Sequence, residues 1–138
     1  MHLNDDLQTY LTRSNVEWIG LEESAQYAAE SRWRSIFVPR PRRVRTGNKA
    51  EFEYLCEPCT HYLIVPFTSD AEGFAMHVYR SAIGAYECRG NLVPLGEFCD
   101  AEFVVCPLDF EWTMVHSHED CGNGGYAGPY FIRREWID

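Results

Sequence analysis

Long apolar stretches are missing from this chain. The longest, Tyr62 to Phe67, contains Pro66 and is far too short to cross a bilayer. The first twenty residues carry Asp5, Asp6, Arg13 and Glu17 and no apolar core, so no signal peptide and a cytoplasmic protein are expected. Positive charge is also scarce. Twelve Lys and Arg stand against 21 Asp and Glu, and the net charge of −9 opposes binding to nucleic acid or an anionic membrane. A basic partner protein is expected instead. No internal repeat and no low-complexity tract is present, and nothing in the pattern specifies an oligomeric state.

The material that is present suits a folded domain. Hydrophobic residues make up 46% and aromatic residues 14% of the 138, the aromatics falling mostly in strand-like runs. That length fits one domain, 1–138, in which residues 1–34 read as helical, 35–50 as a basic loop and 51–138 as a sheet. Arg34, Arg40, Arg42, Arg43, Arg45 and Lys49 hold six of the twelve cations with no acid among them. Such a stretch can bind phosphate, but a solvated loop against the chain's own acidic surface is the simpler reading.

Leu3, Leu7, Tyr10 and Leu11 recur at helical spacing, with Asn4 as an N-cap and Asp5 and Asp6 favoured near the positive end of the dipole. Val16 to Gly20 reads as a short extended segment. From Leu21, the spacing of Ala25, Ala28, Ala29 and Trp33 predicts a second helix to about Arg34, with a small alanine face for close packing on a sheet. Ser35 to Val38 reads as a strand start ended by Pro39 and Pro41. Beyond Glu51 the candidates are strands: Glu51 to Cys56, Tyr62 to Phe67, Phe74 to Arg80, Ile83 to Arg89, Asn91 to Leu95, Glu102 to Cys106, Glu111 to His118 and Tyr130 to Ile137. The expected fold is α+β: two N-terminal helices packed on one face of a mostly antiparallel, curved β-sheet of about six to eight strands. The other face would form a lined concavity.

The densest chemistry lies in Glu111 to Cys121. At a strand's period of two, Trp112, Met114, His116 and His118 share one face, and Thr113, Val115, Ser117 and Glu119 the other. Two imidazoles on one strand face can converge on one ion, although a packed aromatic and a polar strand end would look the same. Cys56-x-x-Cys59 and His118-x-x-Cys121 have the spacing of knuckles that aim soft ligands at one ion. Together Cys56, Cys59, His118 and Cys121 make a candidate Cys3His zinc site, with His61 or His116 as substitute ligands. Cys59, His116 and His118 with an open position would instead activate water. Cys121 or Cys59 as nucleophile, with His118 or His61 as base, is a further option. Thioredoxin-type chemistry is disfavoured, because Cys56-x-x-Cys59 does not open a helix. The glycines from Gly122 to Gly128 lead into a strand-like run, which suits a hairpin loop better than a phosphate cradle.

Trp112, Thr113, Val115, His118 and Glu119, followed by Gly128, Pro129, Tyr130 and Phe131, form a W-T-x-V-x-x-H-E…G-P-Y-F pattern. It resembles one found in small bacterial proteins of unknown function. The resemblance covers about twenty residues; it implies a bacterial source and carries no activity. The leading expectation is therefore a non-enzymatic protein-binding module, immunity- or antidote-like, stiffened by a zinc ion. The alternatives are a small metal- or cysteine-dependent hydrolase using His116, His118 and Cys121, and a small-ligand sensor.

Overall fold

The computed structural model describes residues 3–37, 59–66, 83–95, 98, 103–116 and 130–137. In chain order these form helix α1 (Leu3–Arg13), strand β1 (Glu17–Gly20), helix α2 (Glu23–Phe37), and strands β2 (His61–Pro66), β3 (Tyr86–Arg89), β4 (Phe103–Pro107), β5 (Trp112–His116) and β6 (Tyr130–Arg133). A 3₁₀ turn at Arg134–Trp136 follows. The strands make one sheet in the order β1-β3-β2-β4-β5-β6, with every neighbouring pair antiparallel. The architecture is the expected α+β one, two helices with a curved antiparallel sheet. Strand candidates Glu51 to Cys56 and Phe74 to Arg80 lie outside the described residues, as does the basic stretch beyond Phe37. Asn91 to Leu95 is described and is not a strand.

The helices do not share a face. Leu7 and Leu11 of α1 pack with Tyr62, Ile64, Tyr86, Cys88, Phe103, Val105 and Phe131, while Trp33 and Phe37 of α2 pack with the alternate residues Leu63, Val65, Val104, Cys106 and Ile132. Strand residues point to opposite faces in turn, so these two sets are the two sides of one sheet. The central strands β2 and β4 are consequently buried on both faces, which is why they read as unbroken apolar runs. The open concavity expected on one side is replaced by α2.

Helix α2 also corrects two expectations. It runs on through Phe37, so Ser35 to Phe37 is helix rather than a strand start. Its alanines do not form the packing face either: Ala29 touches the core, but Ala25 and Ala28 are exposed and the buried stripe is Glu30, Trp33 and Phe37. What seats the helix is a polar contact in the core. The Trp33 indole Nε1–H donates to Thr113 Oγ1 at 2.8 Å, and the Thr113 hydroxyl donates to the Val105 carbonyl at 3.0 Å. Arg32 lies 4.3 Å from the ring centre of Phe110, which is buried in the β4–β5 turn with a left-handed φ of 57°.

Asn4 does not cap its helix. Its side-chain oxygen accepts from the Gly84 amide at 2.9 Å and from the Tyr86 hydroxyl, which also accepts from Gln8 Nε2 at 3.0 Å. The other end of α1 closes on a left-handed Asn15, φ 62°. Val16 N–H bonds to Leu11 O at 2.9 Å and Asn15 N–H to Thr12 O at 3.2 Å, and Val16 and Leu11 share a core cluster. This is the Schellman arrangement, with Asn in the place usually held by Gly.

Two outcomes follow for stability. Asn15→Ala should lose about 1 kcal/mol, because a Cβ is penalised in the left-handed region, whereas Asn15→Gly should hold or gain stability; urea unfolding of the three proteins checks the order. Thr113→Val keeps shape but removes the acceptor for Trp33, and should cost about 1–3 kcal/mol in the same assay.

Candidate functional site

Strand β5 carries the described part of the stretch singled out by sequence, and as far as His116 its alternation is as expected. Trp112 and Met114 pack on the α1 side of the sheet, and Thr113 and Val115 on the α2 side. His116 lies opposite Phe103 and stacks on it, ring centres 4.5 Å apart and planes within 10°. It is 4% exposed. Burial disfavours the imidazolium and pushes its pKa down to about 4, so the ring is neutral at pH 7. An imidazole pressed flat on a phenyl ring inside the core is a packing residue.

The other described ligand candidates lie at the far end. Cys59 precedes β2, whose residues run from His61 opposite Arg89 to Pro66 opposite Phe103, and Phe103 in turn pairs with His116. The length of β2 and two strand spacings therefore separate the His61 end from His116, about 20 Å in all. Cys59 and His116 thus stand too far apart to ligate one ion. Cys56, His118 and Cys121 lie outside the described residues. Among the described residues, no three His, Cys, Asp or Glu side chains group to hold a metal.

The described thiols are free and poorly suited to nucleophilic work. Burial raises the Cys59 pKa, a hydrogen bond with the His61 backbone partly opposes the rise, and the Asp109 carboxylate adds to it. Cys88 and Cys106 are buried and pushed up to about 12, mainly by desolvation. The thiolate is the reactive form, so all three are held away from reactivity at neutral pH. His61 does not turn to Cys59 as a base. Its Nε2 lies 2.7 Å from Glu87 Oε2, and Arg89 approaches the same oxygen at 3.6 Å.

That trio marks a surface that no motif in the sequence singles out. His61, Glu87 and Arg89 occupy the α2 side of the sheet, and their register neighbours on β1 are Glu17, opposite Arg89, and Ile19, opposite Glu87. Helix α2 covers β2, β4 and β6 on this side. The β1–β3 corner it leaves holds Ile19 at 65% exposed, beside exposed Glu17 and Arg89. One signal was available: Glu87 and Arg89 share one phase of β3 and apolar Tyr86 and Cys88 the other, the signature of a strand with one wet face.

His116 gives a pH test. Its folded pKa lies below the ordinary 6.5, so between pH 6.5 and 4 the unfolded chain takes up a proton that the folded one refuses. Stability should fall as pH drops through that window, by about 3 kcal/mol at pH 4 from this group. His116→Phe keeps the stack and should show a shallower decline in urea unfolding from pH 7 to 4.5.

Among the described residues no helix is long and apolar enough to cross a membrane. Compared with family models, with curated proteins and with solved structures, the chain matches none.

Proposed function

We propose that this chain is a non-enzymatic module that binds a basic partner protein through the uncovered corner of its sheet, β1 with β3 and the start of β2. The observation that carries this reading is Ile19, a large aliphatic side chain 65% exposed on a strand face, with Glu17 and Glu87 as its neighbours and Arg89 and His61 further along the same face. An apolar centre with a charged rim is the anatomy of a contact surface. The chain's net charge of −9 favours a cationic partner and speeds its approach. The buried, neutral His116 and the protonated Cys59 support binding over turnover. Size and acidity match an immunity- or antidote-like role, by analogy alone.

Photo-crosslinking tests the reading. A benzophenone side chain at position 19 should capture one discrete basic protein from the source organism's extract, with the yield falling as salt is raised. The same group at Ala25, exposed on α2, should not. Equal labelling at both positions, or a hydrolytic activity abolished by His116→Phe, would sink the proposal.

A further inference from the structure

The uncovered corner includes a sheet edge. Among the described residues β1 is paired on one side only, by β3. Glu17, Ile19 and Gly20 are exposed, whereas at the opposite edge Phe131 and Ile132 of β6 are buried. Exposed edges in monomeric proteins are ordinarily blunted by Lys, Pro or a bulge. β1 is short, four residues with one exposed charge at Glu17, but it carries no Lys, Pro or bulge, and its register with β3 runs unbroken from Glu17–Arg89 to Gly20–Tyr86.

The edge is also held in place from behind. Trp18 Nε1–H donates to Thr12 Oγ1 at 2.9 Å, and its indole meets Tyr86 edge-on at 5.5 Å. Leu21 N–H extends the pairing to the Ala85 carbonyl at 2.9 Å. A strand fixed this way loses little conformational freedom when a partner docks.

We infer that β1 takes up an extended, cationic segment of the partner protein as an added strand, an inference that rests on the partner-binding reading above. Main-chain hydrogen bonds to the open edge would supply affinity, and the side chains on its α2 side would select. Glu17 and Ile19 lie two residues apart on that side. A strand laid against them needs a Lys or Arg opposite Glu17 and an apolar residue opposite Ile19, that is, a cation and an apolar residue two positions apart. A second copy of this chain is a poorer occupant. Its β1 offers no cation to Glu17, and two bodies of charge −9 repel.

The test uses the full chain and a short capped peptide of alternating threonine and valine with one lysine two positions from a valine. In amide-resolved NMR the peptide should shift the signals of Glu17 to Leu21 and slow their hydrogen exchange. N-methylating alternate peptide amides should abolish these effects. Replacing the lysine by glutamate should weaken binding about tenfold, a loss recovered when the glutamate peptide meets Glu17→Lys protein. Shifts scattered over the acidic surface, or insensitive to N-methylation, overturn strand addition. So does a concentration-dependent shift of β1 without peptide, which identifies a second copy. A partner crosslinked at position 19 together with indifferent N-methylation retains the contact face and rejects the added strand. Peptide binding at β1 with no crosslinked partner retains the edge and rejects the proposed function.

Discussion

Burial of β2 and β4 on both faces is the constraint from which the rest of the fold follows. A strand such as Tyr62-Leu63-Ile64-Val65 has no polar side to show to water, so each face of the sheet centre must be covered by something apolar. The two described helices meet that need by dividing, α1 on one face and α2 on the other. Because a single helix is narrower than six strands, coverage by the described residues is incomplete. The shortfall lies on the α2 side over β1 and β3, where the wet phase of β3 begins.

Much of this was legible in the residues, and the rest was hidden for physical reasons. Helical spacing located α1 and α2, and period-two alternation placed Trp112, Met114 and His116 together on one side of β5. Sequence could not say which side of the sheet each helix would take. A stripe of alanines reads as a packing face, yet α2 is seated by Trp33 and Phe37 in the core and by a hydrogen bond from Trp33 to Thr113, 80 residues away. Asn4 departs from expectation for a related reason. Its side chain is within reach of its own helix end, but Gly84 and Tyr86 offer it better partners.

The candidate site shows the same boundary between local and distant information. A His-x-His pair and two knuckle spacings are local facts, whereas a metal site needs distant chain segments to converge. Strand order and register decide that, and they set Cys59 and His116 at opposite ends of the sheet. The charge state of His116 is likewise a property of the core around it, because the same imidazole at a wet strand end would titrate near its ordinary value. What the composition did convey was the general field: an excess of acid that makes cationic partners the natural ones.

The contacts that seat α1 also bear on how the chain is made. Gln8 and Asn4 reach Tyr86 across 78 and 82 residues, and Tyr10 reaches the Pro94 carbonyl across 84. During synthesis from the N-terminal end, Leu7 and Leu11 are complete while the strands that bury them are still untranslated. At about 5–20 residues per second that interval lasts several seconds. For that time Leu7 and Leu11 have nothing to pack on, and because an isolated eleven-residue helix is marginal in water, α1 becomes a stable helix only when the strands arrive to bury its apolar stripe.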